Sequence, residues 1–91
     1  MLYLQGKFMK VTELAARGDY PPSHLVTVFD EETADTLNLI CDAATFAVLL
    51  SSEQFADVTL RLRWRRIDLA TLGGSGRGKA YRLQATGVVE S

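Results

Sequence analysis

Asp57 to Leu69 reads DVTLRLRWRRIDL. Val58, Leu60, Leu62 and Trp64 fall on one parity, and Thr59, Arg61, Arg63 and Arg65 on the other. That period of two is the pattern of a strand with one apolar and one wet face. Beyond it the parity flips, since Ile67 and Leu69 are apolar while Arg66 and Asp68 are not. The flip predicts a bulge near Arg65–Arg66, of the kind that re-aims side chains. Strict alternation sends Trp64 to the core, whereas a flip starting beside it turns it outward; the residues leave both open.

Working outward, Ala70 to Gly78 (ATLGGSGRG) is loop material, and Lys79 to Val89 (KAYRLQATGVV) is a last strand interrupted by Gly87. On the other side, Ala43 to Gln54 (AATFAVLLSSEQ) sets Phe46, Leu49 and Leu50 at helical spacing, with Phe55 just after. Asp42 is placed to cap that helix, its carboxylate accepting from the first free N–H groups. Further back, Thr36 to Cys41 (TLNLIC) and His24 to Asp30 (HLVTVFD) flank the polar connection Asp30 to Asp35, which reads as a hairpin. Ala15 to Ser23 (AARGDYPPS) is a turn, and Leu2 to Leu14 a first strand with Gly6 inside it, marking a bulge or a bend. Phe29, Phe46 and Phe55 are assigned to the core.

The order is strand, strand, strand, helix, strand, strand, in one domain spanning 1–91. With a bent, glycine-bearing first strand and the helix between the third and fourth strands, the chain resembles the OB-fold. That is an all-β, five-stranded Greek-key barrel that binds oligonucleotides on one face and through two loops. In size it is similar to the compact single-stranded DNA-binding proteins of phages and plasmids. The resemblance implies single-stranded DNA as ligand, RNA as the alternative, and a small oligomer such as a dimer. Edge strands of an incompletely closed barrel would invite that self-association.

Composition agrees with a globular domain: 47% of the 91 residues are apolar, too many for a disordered chain. The longest apolar run is far short of the ~20 residues of a membrane helix, and MLYLQGKFMK lacks a basic segment ahead of a long apolar one. A cytoplasmic protein away from membranes is therefore expected. A single cysteine, Cys41, excludes an internal disulfide, and with one histidine, His24, no set of soft metal ligands assembles. No metal or other cofactor is expected.

The net charge of −1 conceals a split. Residues 1–60 carry three basic side chains against nine acidic ones, a balance of −6, and residues 61–91 carry seven against two, a balance of +5. A split of this size points to an anionic partner at the basic part, although an overall excess of acid is unusual for a nucleic-acid binder.

Catalysis finds little footing. Gly73-Gly74-Ser75-Gly76-Arg77-Gly78-Lys79 has the spacing of a phosphate-binding loop, but Ala80 stands where a Ser or Thr should reach magnesium, and no helix follows. His24 has no serine and acid set at a spacing that calls for a triad, and Asp30, Glu31, Glu32 and Asp35 read as a solvated turn. The chain is not expected to be an enzyme.

Binding is better served. A single strand presents a charged backbone and unstacked bases, which call for cations and for aromatic or guanidinium planes. Arg61, Arg63 and Arg65 would stand about 7 Å apart along one strand face, able to track phosphates. Trp64, if it faces out, is the best stacking platform. Arg66, Arg77, Lys79, Tyr81 and Arg82 lie on or beside the last loop, Tyr20 in the first loop, and Lys7, Phe8 and Lys10 on the first strand. These residues form the candidate interface. Docking of the same arginines on an acidic protein surface is the competing reading.

Overall fold

The computed structural model describes residues 2–16, 18, 22–69 and 78–89. Five strands and one helix follow in the order β1 (Leu2–Leu14), β2 (Ser23–Asp30), β3 (Asp35–Cys41), α1 (Ala43–Leu49), β4 (Asp57–Asp68) and β5 (Lys79–Val88). The strands close into a barrel in the order β1-β2-β3-β5-β4, all pairs antiparallel except β3 with β5. With α1 between β3 and β4, this is an OB-like fold. Closure removes the open barrel edge on which self-association was expected, so that ground for a dimer lapses. Among the described residues no helix is long and apolar enough to cross a membrane.

Closure depends on β1 serving two partners. Leu2 to Lys7 pair with β4, and Lys7 to Leu14 pair with β2. At the handover Gly6 is obligatory: a Cβ there would collide with Val28 Cγ1 and stand 2.8 Å from the Phe29 carbonyl oxygen. The bend is completed by an irregularity between Phe8 and Lys10. There the Phe8 N–H donates to Ala56 O (2.8 Å), and its carbonyl accepts from Phe55 N–H (2.6 Å).

The inward parity of β2 and β4 fills the interior. Val26, Val28, Leu60 and Leu49 are fully enclosed, joined by Phe8, Cys41, Val58, Leu62 and Ala85. Leu49 comes from α1, whose start is capped as the sequence predicts: Asp42 Oδ1 accepts from Thr45 N–H at 2.8 Å. The helix is shorter than Ala43–Gln54. Ser51 turns its hydroxyl back to the Val48 carbonyl (3.2 Å) and Ser52 N–H bonds Leu49 O (3.0 Å), a tightened last turn that stops propagation.

Three expectations are corrected. Phe55 is not in the core; it takes a left-handed backbone (φ 69°) after the helix and is 59% exposed. Phe29 lies on the register face of Leu25 and Thr27, opposite to Val26 and Val28, and is half-buried. No bulge occurs at Arg65–Arg66, where the ladder runs unbroken from Leu62↔Ala85 to Asp68↔Lys79. The irregularity lies at Arg61/Leu62 and places Thr86 as the extra residue of β5.

The parity flip has another cause. The partners of β4 on β1 end at Leu62, and those of β5 on β3 lie at Gln84 and Ala85. Among the described residues, β4 from Arg63 to Asp68 is therefore paired with β5 alone, as a two-stranded ribbon about 17 Å long. Its projection agrees with the elongated extents of 38 × 24 × 23 Å. Leu83, opposite Trp64, still packs against the core cluster, and Ile67 on the arginine face is buried, so burial on the ribbon no longer follows one parity and the inside-outside alternation lapses at Trp64.

Candidate nucleic-acid interface

Residues directly opposite in a ladder share a face, which sorts the candidates without ambiguity. On the outer face stand Arg61, opposite Tyr3 on β1 and Gly87 on β5, then Arg63 opposite Gln84, and Arg65 opposite Arg82. All four arginines are exposed. The guanidinium of Arg61 lies over Gly87, where there is no side chain to displace it. Arg65 and Arg82 are like charges directly across a two-stranded ribbon, an arrangement that costs stability. Arg82 Nη1 donates to the Tyr81 carbonyl at 3.1 Å.

This arginine face continues onto the barrel wall. Through the register, Arg63 aligns with Gln84, Ile40, Leu25 and Thr12 in one row across five strands. One step along, Lys10, Thr27 and Asn38 form the neighbouring row, with Thr27 Oγ1 donating to Asn38 Oδ1 at 2.6 Å. Exposed Lys10 is thus on the outer face of the sheet, but four strands around the closed barrel from Arg63, with buried Gln84 and Thr27 between.

Arg66, Lys79, Trp64 and Tyr81 are on the reverse face. Trp64 stands opposite Leu83, Arg66 opposite Tyr81, and Asp68 opposite Lys79, all on the side of Leu62 and Ala85. Trp64 is 60% exposed and Tyr81 65%. Alternation therefore gives the direction of Trp64 correctly but not its exposure, since Leu83 across the ladder packs on the core while Trp64 is left outside.

Asp30, Glu31, Glu32 and Asp57 gather at the opposite end. A groove of about 590 Å³ there is lined by Asp30, Glu31, Glu32, Asp57 and Lys7 among others. Lys7 Nζ lies 2.6 Å from Asp57 Oδ1 and 3.8 Å from Glu31 Oε1. The Asp57 hydrogen bond, with the attraction of both carboxylates, holds its ammonium above the ordinary lysine pKa. Lys7 is thus engaged away from the arginines, since Asp57 and Arg65 are about 26 Å apart along β4. Glu31 is paired with Lys7 and leaves the arginine row unneutralised by that hairpin.

Phe8 is 4% exposed in the core and cannot stack on a ligand, so it leaves the candidate set. Tyr20 and Arg77 lie outside the described residues. Tyr3 was missed from the sequence; it is exposed opposite Arg61, and its alternation with Leu2 and Leu4 was the available signal. His24 belongs to β2, its ring 4.6 Å from that of Phe46 and its Nε2 3.7 Å from Glu13. Among the described residues no cluster of His, Cys, Asp and Glu is arranged around a metal position. Comparison with protein-family models, curated proteins and solved structures finds no match to this chain.

Proposed function

We propose that the chain binds single-stranded nucleic acid, DNA in the first instance, with little sequence preference and without catalysing a reaction on it. The observation that carries this reading is the outer face: Arg61, Arg63 and Arg65 at every second position, with Arg82 beside them, all exposed. Guanidinium groups spaced about 7 Å apart can follow a phosphate backbone, and their planes can lie against bases. A polyanion between Arg65 and Arg82 would also relieve a repulsion that the fold by itself does not. The acidic pole at the other end favours approach of the ligand by the ribbon.

The test is fluorescence anisotropy of a labelled dT oligonucleotide against salt. With four arginines on phosphates, log K should fall against log salt with a slope of roughly −3. An Arg63→Ser/Arg65→Ser/Arg82→Ser variant should lose most of that slope. No binding at low salt, or binding insensitive to salt and to the variant, overturns the reading. A dU oligonucleotide against a matched rU oligonucleotide decides between DNA and RNA, because these two differ only in the 2′-hydroxyl.

A further inference from the structure

The ribbon carries two different binding surfaces back to back. Its outer face is cationic and continuous with the barrel wall, through Arg63, Arg65 and Arg82. Its reverse face is aromatic, with Trp64 diagonal to Tyr81 and Arg66 alongside, and ends in Lys79 directly opposite Asp68. Two large aromatic rings left more than half exposed, beside Arg66 and standing outside Leu83, which packs on the core, form a stacking platform that no described residue covers. Side chains on the two faces of a ribbon point away from each other, so a strand lying along the arginines does not touch Trp64 or Tyr81.

We propose that one copy of the chain holds two single-stranded segments at once, one on each face, and so bridges them. This rests on the single-strand reading above and adds a second site to it. The outer site grips backbone through guanidinium groups. The reverse site stacks bases on Trp64 and Tyr81 while Arg66 holds a flanking phosphate. Juxtaposing two strands across a ribbon without reading either sequence would make the chain a bridging factor as well as a coat.

The experiment uses the full chain with two short dT oligonucleotides, one carrying a donor dye and one an acceptor. Energy transfer between them is recorded together with the mass of the complex in solution. The expected result is transfer from a complex of one chain with two oligonucleotides. Trp64→Ala/Tyr81→Ala should abolish the transfer, a loss of at least tenfold, yet leave a salt-sensitive complex of one chain with one oligonucleotide. Trp64→Phe, which keeps a stacking ring, should restore transfer when Tyr81 is intact. The Arg63→Ser/Arg65→Ser/Arg82→Ser variant should also lose transfer while its Trp64 fluorescence is still quenched by dT. All variants are compared at a temperature at which thermal unfolding shows each of them folded.

A complex of one chain with one oligonucleotide, weakened by both variants, would mean that a single strand wraps the ribbon edge; it overturns the bridging proposal and leaves single-strand binding standing. Transfer arising only from two chains that each carry one oligonucleotide overturns it equally. No binding of either oligonucleotide overturns both readings.

Discussion

The guanidinium of Arg61 lies across Gly87 of the adjacent strand, so that a Cβ at position 87 would meet Nη2 and stand 2.8 Å from Nε. Gly87 thus lets an arginine on β4 fold flat over β5. What it accommodates is the far end of a flexible side chain. Gly87→Ala should therefore fold with stability within about 1 kcal/mol of the parent, because relief of glycine's strand penalty offsets the displaced guanidinium. Gly6→Ala differs, since it meets Val28 and the Phe29 backbone, and should cost about 1–3 kcal/mol or more. Urea unfolding of the two variants side by side checks the contrast.

Arg65 and Arg82 face each other across the ribbon. Arg82→Glu turns a repulsive pair into an attractive one and should gain a few tenths to about 1 kcal/mol in stability. The same change should weaken oligonucleotide binding. Opposite signs for the two effects, read by thermal unfolding and by anisotropy, mark a residue kept for its ligand; equal signs would contradict that.

Leu60 and Trp64 lie on the same side of β4, four residues apart, one enclosed and the other exposed. Leu60→Ala should lose about 2–5 kcal/mol through transfer and cavity terms. Trp64→Ala should change stability by well under half of that. Trp64 emission in the free protein should be that of a water-exposed indole, and acrylamide should quench it readily.

Burial, with a smaller contribution from Asp42, pushes the Cys41 thiol up to about 11 from its ordinary 9.0. A folded value above the unfolded one means that the thiol contributes stability below about 9, and that this is lost as pH rises toward 11. Wild type should lose stability over that window more steeply than Cys41→Ala. In the folded protein near neutral pH, Cys41 should react with iodoacetamide far more slowly than after unfolding in urea.

Removing the helix cap is a local test of how α1 is fixed. Asp42→Ala frees the Thr45 N–H and should cost about 0.5–2 kcal/mol, with Asp42→Asn or Asp42→Ser recovering most of it. Recovery by an uncharged acceptor separates the hydrogen bond from the helix dipole.

Period-two alternation along Asp57–Leu62 and His24–Asp30, the cap at Asp42 and the glycine at position 6 are enough, without coordinates, to give five strands, one helix and their order. These are local signals: each is set by how neighbouring residues fill a pleat, satisfy free N–H groups or allow a bend. The arginine spacing is local in the same sense, and the outer face of Arg61, Arg63 and Arg65 is already implied by it. Phe55 and Phe29 escaped because hydrophobicity alone does not say which side of a strand, or which turn after a helix, receives a ring.

What only the tertiary structure decided is where the barrel ends. Whether Trp64 is enclosed depends on the packing around its neighbour Leu83 and on β3 pairing with β5 at Gln84 and Ala85, and both are facts about other strands. Likewise, the placing of Arg82 beside Arg65, of Lys10 in the row next to Arg63 and of Tyr3 beside Arg61 comes from pairings between residues far apart in the chain. Composition and periodicity act over a few residues, whereas register and closure are settled by the packing of all five strands together; the first made this chain a barrel, and the second gave its ribbon two faces.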